Sequence, residues 1–166
     1  TENLLAFQKG SPDVLTAEGF ELKVVAFGPW QPARSEVRRV LSAALRRLVD
    51  MIAFEGHGDY LVVLLPQPER GGESFRASFA LNSDEPPSRA NLGRWGNTIT
   101  HEIFHYWNGW RLRGADYASS QWFQEGMTEY AANLALVSSG MIEPDEFYAK
   151  LATHVTNYRR LSTPLD

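Results

Sequence analysis

The sequence of 166 residues predicts one domain of the α+β class, in which a small mixed sheet is followed by helices. Runs with strand character fall mainly in the first half of the chain, whereas helical patterns dominate the second half. The hydrophobic content of 43% is ordinary for a globular chain of this size and sufficient for one core. Because strands and helices do not alternate regularly, the order argues against a doubly wound sheet.

The first half of the chain contains three predicted strands and one long helix. Phe20–Phe27 alternates in part and predicts a strand. The Gly-Pro-Trp-Gln-Pro stretch that follows breaks this pattern and ends the strand. A helix is predicted from about residue 33 to Phe54, and Tyr60–Leu65 reads as a buried strand stopped by a proline. Phe75–Leu81 alternates and predicts a strand near an edge of the sheet. The apolar stripe of the helix consists of Val37, Val40, Leu41, Ala44, Leu45, Leu48 and Ile52.

The second half is predicted to be helical after a loop. The loop spans Asn82–Arg89 and contains two adjacent prolines. Helices are then predicted over Trp95–Asn108, Ser120–Ser138 and Pro144–Tyr158. The chain contains neither an internal repeat nor a low-complexity segment, so a single domain covering residues 1–166 is expected.

Composition excludes several functional classes. The net charge of −4 and the pI near 5.6 argue against binding to nucleic acid or to an anionic membrane. No apolar run reaches the ~18 residues of a membrane span. The absence of cysteine leaves the compartment open, so a cytoplasmic, periplasmic or secreted location is compatible with the sequence.

His57 is expected at the surface. A solvated helix face is expected for Arg34, Arg38, Arg39, Arg46 and Arg47.

The most informative stretch is His101-Glu102-Ile103-Phe104-His105, an H-E-x-x-H pattern within a predicted helix. Residues four apart share a helix face, so both imidazoles can point at one metal ion. Apolar neighbours suggest that this helix is buried on more than one side. Buried polar groups require partners, and a metal ion would satisfy the two histidines together. The alternative is a pair of hydrogen-bonded or solvated histidines without metal.

A catalytic zinc site usually has three protein ligands, and Glu125 is the candidate for the third. It follows His105 by twenty residues, which allows a loop and a second helix to bring it over the histidine pair. Glu129 lies four residues later on the same helix face and is expected to accept a hydrogen bond from a ligand histidine. For both glutamates, the alternative is a solvated surface charge.

These residues together suggest zinc-dependent hydrolysis. Zinc lowers the pKa of its water toward ~7 and polarises a substrate carbonyl. In this hypothesis His101, His105 and Glu125 hold Zn²⁺. Glu102 acts as the general base on the water and later passes the proton to the leaving amine.

Three blocks of sequence resemble the glycyl aminopeptidase family, zinc metallopeptidases of the gluzincin clan that often carry a PDZ domain. These blocks are residues 101–108, the Arg111-Leu112-Arg113 triplet, and Trp122–Tyr130 with its Glu-Gly and Thr-x-Tyr elements. A weaker similarity continues through residues 136–142. The resemblance implies His101, His105 and Glu125 as zinc ligands and Glu102 as general base. The aminopeptidase N family resembles the chain more distantly.

The resemblance also implies a thermolysin-like catalytic domain that acts on peptides. The chain then corresponds to a fragment of such an enzyme, without the β-domain and PDZ domain of the family. In that fold an edge strand pairs with an extended substrate, and Phe75–Leu81 is the candidate for this strand. No oligomeric state follows from the sequence.

One departure from the family pattern concerns substrate binding. The family carries a Gly-Gly-x-Glu-His stretch before the zinc helix, and the corresponding residues here begin with Gly71, Gly72 and Glu73. Ungapped alignment places Ser74 and Phe75 where glutamate and histidine are expected, whereas a one-residue deletion restores Glu73. The resemblance implies that Gly71, Gly72 and Glu73 bind substrate, with the glutamate at the substrate amino terminus. An ordinary loop before a strand is the alternative.

The residue that stabilises the oxyanion is not fixed by the sequence. Tyr130 is the candidate, with Tyr148, Tyr158 and His154 as further possibilities. The leading functional prediction is a zinc-dependent aminopeptidase that acts on short peptides. The alternatives are a catalytically inactive zinc-containing domain that binds peptides or partners, and a zinc hydrolase of non-peptide amides. The intact Glu102 favours an enzyme.

Overall fold

The chain folds into a five-stranded sheet covered on one face by helices. The computed structural model describes residue 6 and residues 10–53, 56–112 and 114–160. The strands are β1 (Asp13–Ala17), β2 (Phe20–Ala26), β3 (Gly58–Leu65), β4 (Gly71–Phe75) and β5 (Ser78–Asn82). The helices are α1 (Arg34–Met51), α2 (Leu92–Phe104), α3 (Tyr117–Ser138) and α4 (Pro144–Arg160), with short 3₁₀ turns at Gly28–Trp30 and Arg89–Asn91.

The strands lie in the order β1-β2-β3-β5-β4. The outer pairs, β1 with β2 and β4 with β5, are antiparallel, whereas β3 runs parallel to both of its neighbours. The helix α1 connects β2 to the parallel strand β3, as a parallel pair requires. The sheet is therefore mixed, as predicted, and β4 forms one of its edges.

Alternation along the strands places one set of apolar side chains under the helices. In register across the sheet, Val24 lies beside Val62, which lies beside Phe79, and all three are buried in the main core. The helices α1, α2 and α3 contribute the opposing layer, including Leu41, Ile99 and other fully buried side chains. This arrangement holds α2 against the sheet, with its C-terminal end above β3.

Several predictions from the sequence are confirmed. The predicted strands at Phe20 and Tyr60 correspond to β2 and β3, and the apolar stripe of α1 is buried from Val37 to Leu48, with Ile52 partly buried. His57 is exposed, as are the five arginines of α1. The helix α1 ends at Met51, whereas the predicted end, Phe54, lies outside the described residues.

The prediction of an edge strand at Phe75–Leu81 is wrong. The segment turns at residues 76–77, so that Phe75 ends β4 and Ser78 begins β5. β5 lies inside the sheet between β3 and β4, and its residues Ser78–Leu81 are buried. Its apolar character therefore reflects an interior strand, and the edge is formed by the preceding strand, Gly71–Phe75.

The sequence reading missed β1. Its side chains alternate between exposed and buried from Val14 to Ala17, and it joins β2 through a tight turn at Glu18 and Gly19. Both turn residues have positive φ, 41° and 80°, as the common two-residue hairpin turns require. Glycine adopts this conformation easily, but glutamate rarely does, so the dipeptide is a weak hairpin signal.

The helices near the candidate site differ from prediction at their ends. α2 begins at Leu92 and ends at Phe104, so Asn108 lies in the turn that follows rather than in the helix. α3 begins at Tyr117, three residues before the predicted start. α4 has no buried residue among those described. In the described residues, no helix combines the length and apolarity needed to cross a membrane.

Candidate active site

The C-terminal turns of α2 place two histidines on one face. The Nε2 atoms of His101 and His105 lie 3.0 Å apart, and their rings meet edge to face with a centroid distance of 4.7 Å. The opposite face of α2 is apolar and buried through Ile99 and Ile103. The amphipathic pattern of this helix therefore turns both imidazoles away from the core and toward α3.

The helix α3 supplies a carboxylate to the same point. Glu125 Oε2 lies 3.2 Å from His101 Nε2 and 3.4 Å from His105 Nε2. These three side chains form a group in which one potential ligand atom from each lies within 4.8 Å of the others. The structure therefore brings together the three residues that the sequence predicted as metal ligands.

The outer ring nitrogens determine which atoms can bind a cation. His105 Nδ1 lies 2.9 Å from the backbone oxygen of Asn108, and a carbonyl oxygen can only accept, so Nδ1 carries the proton. His101 Nδ1 lies 3.1 Å from Glu129 Oε2, which is likewise an acceptor. In neutral imidazoles both Nε2 atoms then present lone pairs.

Two lone pairs and a carboxylate oxygen therefore converge on one point, an arrangement that suits a shared cation. The three separations of 3.0, 3.2 and 3.4 Å are close to the edges of a tetrahedron around a metal ion. With bonds of about 2.0–2.1 Å to zinc, such edges measure about 3.3 Å. Two imidazoles and one carboxylate are also a donor set found in catalytic zinc sites, so the residues present fit this metal.

Glu129 is held by several donors behind His101. Asn97 Nδ2 donates to both carboxylate oxygens at 3.0 and 3.1 Å, and Asn133 Nδ2 donates to Oε1 at 2.7 Å. Burial alone would raise the pKa of Glu129, but the hydrogen bonds from His101, Asn97 and Asn133 outweigh it and lower the pKa to about 2. Glu129 is therefore an ionised acceptor that orients the His101 ring.

The same contacts act on His101. Burial disfavours its charged form, but the hydrogen bond with Glu129 and the charges of Glu102, Glu129 and Glu125 exceed that effect and raise the pKa. The carboxylates around His101 thus favour the positively charged form of its ring. His154 of α4 approaches Glu129 from outside, with 3.7 Å between its Nε2 and Oε1.

Glu102 lies next to the three converging side chains of His101, His105 and Glu125, and it faces a cleft. It lines a cavity of about 540 Å³ together with Ser74, His105, Tyr117 and Glu125. It also lines a second cavity of about 400 Å³, which extends along β4 and the N-terminal part of α2. Its backbone oxygen accepts a hydrogen bond of 3.1 Å from the buried Tyr60 hydroxyl, which fixes this turn of α2 to the sheet.

The predicted substrate-binding residues lie on the edge strand β4. Gly71 and Gly72 line the second cavity, and Ser74 lines both cavities that contain Glu102. Among these described residues, Glu73 lines neither of the two cavities. Gly72 and Ser74 are two residues apart and share one face of the strand, whereas the Glu73 side chain between them points to the opposite face. The glycines are thus brought to the site, and the Glu73 side chain is directed elsewhere.

The predicted oxyanion candidates do not line either of the two cavities that contain Glu102. Tyr130 and His154 line a different cavity, with His101 and Glu125, whose described lining residues do not include Glu102. Tyr148 and Tyr158 are exposed on α4. Tyr117, which was not predicted from the sequence, lines the cleft with Glu102 and is itself exposed. Its hydroxyl donates a hydrogen bond of 3.1 Å to Glu125 Oε1.

Comparison with known proteins agrees with this site. The model of the M61 glycyl aminopeptidase family matches residues 94–164, which include both histidines and Glu125. No match appears among curated proteins.

A solved structure of an aminopeptidase N family protein from Idiomarina loihiensis has a similar fold, with a TM-score of 0.61 and 20% identity over 82% of this chain. This chain spans only 27% of that structure. The likeness therefore concerns the fold. The match to the family model confirms the resemblance that the motifs indicated: the C-terminal part of this chain carries the glycyl aminopeptidase pattern.

Proposed function

We propose that this chain is a zinc-dependent peptidase that removes residues from the amino terminus of short peptides. The observation that carries the proposal is the convergence of His101 Nε2, His105 Nε2 and Glu125 Oε2 within 3.0–3.4 Å. His101, His105 and Glu125 would hold the metal. When bound, zinc would polarise the substrate carbonyl and make a water molecule more acidic.

In this proposal Glu102 is the general base. It follows a ligand histidine directly in α2 and lines both cavities beside the metal group. Its carboxylate would take a proton from the attacking water and give it to the leaving amine. Since the cleft also contains the edge of β4, a peptide in extended form would be in reach of the same carboxylate.

The strand β4 would position the substrate. It pairs with β5 on one side and ends the sheet on the other within the described residues. The free backbone groups of such an edge can pair with an extended peptide. This role replaces the one predicted for Phe75–Leu81. Gly71 and Gly72 lack side chains, and this leaves the cavity beside Glu102 open to a ligand.

The two further roles proposed here concern orientation. Glu129 would fix the ring of His101, because it accepts from Nδ1 and is itself held by Asn97 and Asn133. Tyr117 would fix the carboxylate of Glu125 by donating to Oε1, so that Oε2 points at the histidines. Partners of this kind typically change metal affinity 10–100-fold when they are removed.

The test is hydrolysis of an unblocked tripeptide and of its N-acetylated form by the full chain, before and after zinc removal and reloading. We expect cleavage of the unblocked peptide only in the zinc-loaded protein, with much slower cleavage of the acetylated peptide. Cleavage that survives complete zinc removal would contradict the proposed chemistry. Stoichiometric zinc binding without any cleavage would favour the alternative, a zinc-containing domain that binds peptides.

A further inference from the structure

A cavity of about 400 Å³ between β4 and the first half of α2 ends at Glu102 on one side. Its floor is apolar and buried, since Trp30, Phe79 and Trp95 each expose 5% or less of their surface. Gly72 permits this floor, because a Cβ atom there would lie 2.4 Å from the ring of Phe79. The cavity thus combines a catalytic carboxylate with a surface suited to an apolar side chain.

The opposite end of this cavity carries two arginines. Arg70 precedes β4 and Arg94 lies in the first turn of α2, and both line the cavity. Both donate to Glu85, Arg70 at 2.6 Å and Arg94 at 2.9 Å, so their guanidinium groups lie side by side. Arg94 precedes Glu102 by eight residues of helix, which corresponds to about 12 Å along the axis.

Arg70 and Arg94 can donate further hydrogen bonds beyond those to Glu85. Two guanidinium groups share one carboxylate, so the group carries a net charge of +1. Arg70 and Arg94 each contact Glu85 through Nη2 only. In the described part of the chain, their Nε and Nη1 atoms have no hydrogen-bond partner. Both side chains are more than half exposed. They can therefore donate to a second carboxylate at the end of the cavity.

A peptide bound in extended form would reach from Glu102 at one end of the cavity to the two arginines at the other. A peptide that adds antiparallel to β4 would run from Phe75 toward Gly71, and antiparallel pairing is slightly the more stable. Its residues beyond the cleaved bond would then enter this cavity and point toward Arg70 and Arg94. At about 3.3–3.6 Å per extended residue, about three residues span the distance from Glu102 to Arg94.

We infer that this cavity binds the leaving part of a short peptide, with an apolar side chain on the aromatic floor and the free C-terminal carboxylate at Arg94 and Arg70. The inference rests on the proposed function and gives it a substrate class: short peptides of about four residues with an unmodified C-terminus. Longer chains and C-terminal amides lack the carboxylate at this distance and bind less tightly.

The test measures binding rather than cleavage. The tetrapeptide Ala-Phe-Ala-Ala, as free acid and as C-terminal amide, is titrated by calorimetry into the zinc-loaded Glu102→Gln protein. We expect the acid to bind about threefold to tenfold tighter than the amide, the range for a partly exposed charged hydrogen bond. The preference should shrink when NaCl is raised, because salt screens exposed charges.

Arg94→Gln in the same background should abolish the preference for the acid. Arg89→Gln is the matched control, because Arg89 pairs with Glu143 on the surface and does not line the cavity. Equal affinity for acid and amide in the parent protein would overturn the inference, as would a preference that survives Arg94→Gln. If Arg94→Gln fails to fold, the acid–amide comparison and its salt dependence in the parent decide alone.

The comparison of acid and amide binding can be interpreted whether or not the chain cleaves peptides. A wild-type protein that cleaves peptides but shows no preference for the acid would refute the inference and leave the proposed function intact. If the chain never cleaves peptides but still prefers the acid, the inferred carboxylate site stands and the proposed function is refuted.

Discussion

The hydroxyl of Tyr117 donates a hydrogen bond of 3.1 Å to Glu125 Oε1, the carboxylate oxygen that does not face the histidines. Glu125 itself is partly exposed, with 42% of its side-chain surface accessible, so packing alone does not fix it. Tyr117 stands at the first residue of α3, two turns before Glu125. The phenol therefore restricts a carboxylate that would otherwise sample several rotamers.

Tyr117→Phe tests this restraint. We expect the variant to fold normally and to lose about tenfold in zinc affinity, because a metal ligand has lost the partner that orients it. Affinity is measured by competition with a chromophoric chelator. Tyr148→Phe, on the exposed surface of α4, is the control and should bind zinc like the wild type. Unchanged affinity in Tyr117→Phe would show that Glu125 is oriented by other contacts.

The convergence of His101, His105 and Glu125 could be predicted because it depends largely on local spacing. Residues four apart on a helix must share a face, so His101 and His105 followed from the sequence directly. Glu125 and Glu129 followed from the same rule within α3, once a turn between the helices was assumed. Tyr117 could not be predicted in this way. Its contact with Glu125 depends on how the chain after Asn108 leads into α3, and the periodicity of the sequence does not indicate this.

The sheet edge could not be read from the sequence for a related reason. Segment 75–81 alternates, and alternation marks a strand without marking its neighbours. The predicted strand, Phe75–Leu81, included only the last residue of β4, and it ran through the turn at residues 76–77 into β5. Strand order follows from contacts between distant residues, and here these contacts place β5 inside and β4 outside.

Glu129→Gln tests the contact with His101. The neutral amide keeps the shape of the side chain but removes the charge that favours a bound cation nearby. Its amide group would also face the donors of Asn97 and Asn133. We expect zinc affinity to fall about tenfold. Glu143→Gln, an exposed residue of a surface ion pair, should leave affinity unchanged. If both variants bind zinc equally well, Glu129 has no part in the site.

Glu102→Gln separates metal binding from catalysis. The side chain is not among the three converging ligands, so the variant should retain zinc at the wild-type stoichiometry. Loss of a general base typically costs about 10²–10⁴-fold in rate, and we expect peptide hydrolysis to fall by at least about 10²-fold. Hydrolysis is measured by release of free amino groups at saturating zinc. A variant that cleaves at the wild-type rate would rule out Glu102 as the base.

Asn108→Ala tests the joint between the histidine turn and α3. The buried Asn108 donates from Nδ2 to the backbone oxygen of Gln124 at 3.0 Å and to the hydroxyl of Thr128 at 3.1 Å. Loss of both bonds in a buried position should reduce the free energy of unfolding by about 1–3 kcal/mol. Urea denaturation of the zinc-free protein gives this value. Asn157→Ala, on the exposed face of α4, should change it by less than about 0.5 kcal/mol.

The most direct test of the account is the zinc content of the wild type and of Glu125→Ala after zinc loading and dialysis, determined by elemental mass spectrometry. Glu143→Ala serves as the matched control, since this glutamate is exposed and distant from the histidines in sequence. We predict about one zinc per chain in the wild type and the control, and a sharp loss of zinc in Glu125→Ala. A wild-type chain that retains no zinc, or a Glu125→Ala chain that retains it fully, would contradict the assignment of His101, His105 and Glu125 as one metal site.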